Sequence, residues 1–272
     1  MQKILGTSKI VLALGLACIG LATKGAAAGA LPDNIVASKT LTVCSAVNLP
    51  PMEFFSANQK PEGVDIDLAN ELAGRLHLTT KIINIPFAGL IPALLAHNCD
   101  VIMSQLFIKP PRLKVIDEIP YMYSQEGFII KAGKPKLKGP EDLSGKKAAS
   151  VTGTTATDLM KAANEKLAAA GKPPITIVLF PENTPALQQV QFGQVEAYGV
   201  AYETALYYAA LAPSQFQVGG DPYFKILTGI GVSKDTPGLR DALTEQLAAM
   251  RKDGTYAKIF TKWHIAADML PE

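Results

Sequence analysis

The chain has 272 residues, 48% of them apolar and 18% charged, with 26 Lys+Arg against 24 Asp+Glu. That near-balance, without any basic amphipathic stretch, excludes the electrostatic footprint of a nucleic-acid binder and of a helix lying on a membrane surface. The length suffices for one large buried core or two modest ones.

In chain order, Lys3 and Lys9 precede the apolar run IVLALGLACIGLA, and the small residues Ala26-Ala27-Ala28 follow it. The pattern predicts a secretory signal peptide over residues 1–28, cut after Ala28, because the apolar run is shorter than the roughly 20 residues of a membrane-spanning helix. Cys18 opens a rival reading as a lipoprotein, against which Gly15 stands where an aliphatic residue is expected. Cleavage removes Lys3, Lys9 and Lys24, leaving a mature, exported, periplasmic chain of formal charge −1 from 23 basic and 24 acidic residues. Cys44 and Cys99 survive it, each on an apolar run. They read equally as a disulfide or as two small buried hydrophobes, since pairing needs Cα atoms within roughly 7 Å.

The body alternates two kinds of segment. Strands are predicted at 41–47, 80–85, 100–108, 127–133, 146–151, 175–180, 196–201 and 226–233, all short and apolar or β-branched. Helices are predicted at 65–76, 87–98, 154–171, 185–194 and 239–254; the first spaces Leu68, Leu72 and Leu76 on one face and sets Asp65 and Asp67 in its first turn, where they complement the dipole. Strand–helix alternation of this kind belongs to α/β folds with mostly parallel sheets covered on both faces. The stretch 132–146, rich in Pro, Gly and Lys, reads as a surface connection.

In such sheets ligands bind beyond the carboxyl ends of strands. Two places qualify. One is SVTGTT (150–155), where Gly153 allows a tight turn and Thr154 and Thr155 open a helix; the other is the end of DVIMSQLFIKPPR, where Pro110 and Pro111 stop a strand and Arg112 follows. Nucleotide-phosphate loops, HExxH, CxxC and GxSxG are absent, and His77, His97 and His264 are scattered, so no catalytic residue, cofactor or metal site is expected.

Six stretches in order then carry a resemblance: LPPMEF (49–54), GVDIDLANELAGRL (63–76), FAGLIPALLAHNCDVI (87–102), IKPPRLKVIDEIPY (108–121), SGKKAASVTGTTATDL (144–159) and DGTYAKIFTKWHI (253–265). Together they resemble the family 3 extracytoplasmic solute-binding proteins of polar amino-acid ABC transporters. The resemblance implies a type II periplasmic-binding-protein clamshell: two mixed, mostly parallel sheets, with lobe one from 38–123 plus 227–272 and lobe two from 128–221. Its hinges would lie near 123–127 and 222–227. It further implies a monomer that captures a small carboxylate-bearing solute in the cleft and passes it to a membrane permease.

By the same resemblance, Arg112 grips the solute's carboxylate, Thr154 and Thr155 complete that site, and Phe87 packs on its side chain. Ser104 and Gln105 meet its amino group, and Asn48 stands at the cleft. The departures are informative. Phe107 and Lys109 replace small hydroxyl residues beside the arginine, and Ala201 replaces the aspartate that would pair with an ammonium. A buried ammonium without a carboxylate costs several kcal/mol. The expectation is therefore a carboxylate whose ammonium is lost, capped or displaced, unless Glu203, Tyr202 or Glu53 supplies the contact. The alternatives are a cyclohexadienyl dehydratase-like enzyme, with Glu203 as its acid, and a ligand-sensing partner of a signalling receptor.

Overall fold

The computed structural model describes Gln2 and residues 30–271, so the expected signal peptide and the alternative at Cys18 lie outside the described residues. Among the described residues, no helix is long and apolar enough to cross a membrane.

The strands are β1 (Thr40–Ser45), the short β2 (Asn48–Leu49), β3 (Glu53–Phe55) and β4 (Pro61–Glu62), then β5 (Thr79–Asn84), β6 (Val101–Ile102), β7 (Ile116–Lys131), β8 (Lys147–Val151), β9 (Thr176–Phe180), β10 (Ala197–Ala201), β11 (Phe216–Val218) and β12 (Tyr223–Ser233). The main sheet runs β5-β1-β6-β12-β7-β10-β8-β9, with β11 also on β7, while β2, β3 and β4 form a small antiparallel sheet. Its two ends are parallel (β5 and β6 on β1, β9 and β10 on β8), and its middle is antiparallel. The long strands β7 and β12 therefore join two mixed sheets into one ladder.

Packing follows the same division. At one end the helices Val64–Arg75, Pro237–Lys252 and Thr255–Lys262 bury Leu68, Leu72, Leu243 and Phe260 against β1 and β12, and the helix Leu90–Leu95 covers the opposite face. At the other end the helix Thr155–Ala169 packs Met160 and Leu167 on one face, and the helices Asn183–Gln191 and Tyr202–Leu211 cover the other. Each end is thus a sheet covered on both faces by its own core.

Several expectations change, among them the helix expected at 87–98, which is a 3-10 turn at Phe87–Gly89 followed by the helix Leu90–Leu95. The run at 100–108 is a strand only at Val101–Ile102: the Asp65 carboxylate accepts the Gln105 amide at 2.7 Å and Gln105 adopts a φ of 42°, which turns the chain out of the ladder. The strand expected at 127–133 begins at Ile116, and it tolerates Pro120 because a register shift opposite Thr228 and Gly229 interrupts the ladder there. Asp65 does more than face a helix dipole, since it is fully buried and also accepts the Tyr121 hydroxyl at 2.5 Å. Cys44 and Cys99 form a disulfide, Cα to Cα 5.7 Å, which fastens β1 to the turn before β6.

Candidate functional site

Between the two cores, beyond the carboxyl ends of β8 and β10 and at the start of the helix Thr155–Ala169, lies a cavity of about 50 Å³. Phe87, Phe107, Val151 and Val200 give it apolar walls; Arg112, Glu53, Gln105 and Glu126 give it charge and polarity.

Arg112 sits on the four-residue helix Pro110–Leu113, whose two prolines supply its opening turn. The side chain is buried to 8% exposure. Nη1 donates to the Phe107 carbonyl (2.7 Å), Nη2 to the Gly153 carbonyl (3.2 Å), and the guanidinium carbon stands 5.4 Å from the centre of the Phe87 ring. Among the described residues no carboxylate lies within 4.0 Å of it. Burial pulls its pKa down, yet a guanidinium stays charged in a protein. A buried cation held only by carbonyls is suited to an anion that the chain does not itself supply.

The Gly153 carbonyl is presented by a tight turn in which Gly153 has φ +83°, a conformation that favours glycine. Thr154 does not cap the following helix with its side chain; its hydroxyl donates to the Val151 carbonyl at 2.8 Å. Thr155 Oγ1 is buried on the cavity wall without a protein partner, at the helix start, whose Ala156 amide faces the Glu126 carboxyl.

The opposite side is acidic. Ser104 Oγ donates to Glu53 at 2.8 Å and receives the Ala46 amide at 3.0 Å. Gln105 Nε2 reaches Ser124 (2.7 Å) and Glu203 (3.1 Å), and Ser124 donates to Glu203 at 2.9 Å. Burial, reinforced by Asp65, raises Glu53 well above the usual carboxylate range, and burial, reinforced by Asp268, lifts Glu203 to about 7. Glu126, on β7, is pushed up to about 8 by burial and by the charge of Glu203. Four buried side-chain atoms of wall residues lack a protein hydrogen-bond partner: Glu53 Oε2, Gln105 Oε1, Glu126 Oε2 and Thr155 Oγ1.

Of the residues singled out from sequence, Arg112, Thr154, Thr155, Gln105, Phe87, Phe107 and Ala201 all line this cavity, as does Glu53. Three stand elsewhere. Ser104 lies beneath the wall, supporting Glu53; Glu203 is tied to Gln105 and Ser124 and faces a different groove; Asn48 accepts a hydrogen bond from Asn183, which itself lines the cavity. Sequence reading missed Glu126, Asn183 and Tyr198 on the wall. Their only prior signal was position near strand and helix ends, which gives no direction for a side chain.

The family model for bacterial extracellular solute-binding proteins, family 3, matches residues 41–266. The histidine-binding periplasmic protein of Escherichia coli (strain K12) is 30% identical over 94% of this chain and 96% of its own length. The ABC transporter arginine-binding protein 1 of the same organism is 31% identical over 79% of this chain and 86% of its own. Among solved structures, an ancestral amino acid-binding protein, AncCDT-1, described as a precursor of cyclohexadienyl dehydratase, superposes with a TM-score of 0.77 at 32% identity, over 85% of this chain and 98% of that one. An ancestral arginine-binding protein bound to arginine gives 0.76 at 31% identity, over 83% and 98%. These neighbours are two-lobed type II periplasmic binding proteins, the fold class expected from sequence.

Proposed function

Because the chain belongs to the bacterial extracellular solute-binding proteins of family 3, we propose that it captures a small carboxylate-bearing solute, an amino acid or a compound derived from one, in the cavity beside Arg112. It then delivers that solute to an ABC transporter permease. The observation that carries this reading is the buried Arg112 guanidinium, with no carboxylate within 4.0 Å among the described residues, facing a cavity whose wall leaves polar atoms unpartnered. A carboxylate there would take the two-pronged guanidinium from one side and the amides opening the helix Thr155–Ala169 from the other.

In this reading the lobes are 38–123 plus 227–272 and 128–221, hinged near 123–127 and 222–227. The exchange of partners along β7 from β12 to β10 and β11 supports that division, as does the register shift beside Phe224, whose φ is 58°. Lys109 to Asp158 (2.8 Å), Arg112 to Gly153 and Asn183 to Asn48 would be contacts of the closed form. Hinge opening separates them and admits the solute. The protein works in the periplasm after its leader is removed. The dehydratase reading draws no support from Glu203, whose carboxylate accepts hydrogen bonds from Gln105 and Ser124 away from the cavity.

A thermal-shift screen over amino acids, opines, keto acids and dicarboxylates tests the proposal. A solute at a hundred times its Kd adds about 2.7 kcal/mol to the folded state, and Arg112→Ala is expected to erase the shift for every compound that scores.

A further inference from the structure

The carboxylate expected at position 201 is missing, and the sheet provides another beside it. β10 and β7 are antiparallel with Ala201 directly opposite Glu126. Residues opposed in this way project from the same face, with Cβ atoms about 5 Å apart. A carboxylate at 126 therefore reaches the space that a side chain at 201 would fill. Both residues line the cavity, Glu126 is 2% exposed, and its Oε2 has no protein partner. No cationic side chain among the described residues lies within 4.0 Å of it.

We propose that Glu126 receives the cationic nitrogen of a zwitterionic solute whose carboxylate lies on Arg112, taking up from the neighbouring strand the role that Ala201 leaves open. This rests on the carboxylate reading of Arg112 above. It changes the class of solute from a carboxylate stripped of its ammonium to one that carries both charges. A buried carboxylate oxygen with no donor is a costly thing to keep in a folded protein, and a protonated amine placed on it removes that cost. Glu203, Lys109, the Ala156 backbone amide and Arg112 act on Glu126, and it in turn acts on the phenols of Tyr198 and Tyr223. With its carboxyl raised to about 8, Glu126 holds a proton near neutral pH before a solute binds. Binding the cation requires the carboxylate form, so that proton passes to the buffer as the ion pair forms.

The test is isothermal titration with the common L-amino acids and, for each, the des-amino acid that keeps the carboxylate and carries hydrogen in place of the ammonium. Each is run in two buffers of different ionisation enthalpy. For the wild type, at least one amino acid is expected to bind, its des-amino counterpart to bind at least about thirtyfold more weakly, and binding to release a fraction of a proton at pH 7. Glu126→Gln is expected to weaken the amino acid by a similar factor and to abolish the proton release. Adding Ala201→Asp to that variant is expected to restore much of the affinity. The proposal is overturned if no amino acid binds, if amino and des-amino acids bind alike, or if Glu126→Gln binds within about threefold of the wild type. The wild-type arms read the proposal even if the variants fail to fold. Arg112→Ala separates the two readings. If it alone abolishes binding while Glu126→Gln does not, this inference fails and the carboxylate reading stands; if it binds normally, the carboxylate reading fails.

Discussion

At the scale of single residues, the site is governed by burial of charge. Glu118, Glu126 and Glu203 are lifted to about 7, 8 and 7, in each case chiefly by burial. A carboxyl whose folded pKa is raised binds more protons folded than unfolded, so stability falls as pH rises through the interval between the two values. For these groups that interval runs from the ordinary glutamate value of 4.5 to about 8. The melting temperature of the ligand-free protein is therefore expected to fall across it, and Glu126→Gln is expected to flatten the slope; differential scanning fluorimetry at a series of pH values reads both. The Gly153-Thr154-Thr155 turn was legible in the sequence because a glycine permits it; at Arg112 the prolines were expected to stop a strand, whereas the strand ends at Ile102 and the prolines open the short helix Pro110–Leu113. Glu126 was not legible. Which face of β7 it occupies follows from its pairing with Ala201, a contact between strands that no local pattern encodes.

At the scale of elements, alternation of apolar strands and amphipathic helices made most of the main sheet readable, and where it failed there the reason was a tertiary contact. The run at 100–108 looks like one strand, but the buried Asp65 captures the Gln105 amide and ends it early. The polar, proline-containing stretch before Gly127 hid the first half of β7, whose pairing with β12 overrides its weak local preference. The helix Tyr202–Leu211 was missed because its aromatic and alanine residues show no clean apolar stripe. The disulfide was the one feature sequence left evenly balanced, and only the folded approach of β1 to the turn before β6 decides it. Replacing Cys44 and Cys99 together by serine is expected to cost about 2–4 kcal/mol, read as a lower denaturant midpoint, with solute affinity nearly unchanged because neither cysteine lines the cavity.

At the scale of the whole molecule, two cores share one ladder through β7 and β12, so a small change of angle along those strands alters the distance between Arg112 and the helix Thr155–Ala169 by much more. The ion pair of Lys109 with Asp158 crosses that gap, but Asp158 is 57% exposed. Such a pair contributes about 0.2–1 kcal/mol. Lys109→Ala is therefore expected to weaken apparent affinity by less than about fivefold, with the difference shrinking in high salt; titration at two ionic strengths measures it. In the proposed reading a cavity of about 50 Å³ has to open to admit a solute and close around it. The proposed role of Arg112 is to hold the solute's carboxylate. It is tested most directly by titrating wild type and Arg112→Ala, both shown to be folded, with the compound giving the largest thermal shift in the screen. Saturable binding is expected for the wild type and none measurable for Arg112→Ala; equal affinity for the two would show that Arg112 does not hold the carboxylate.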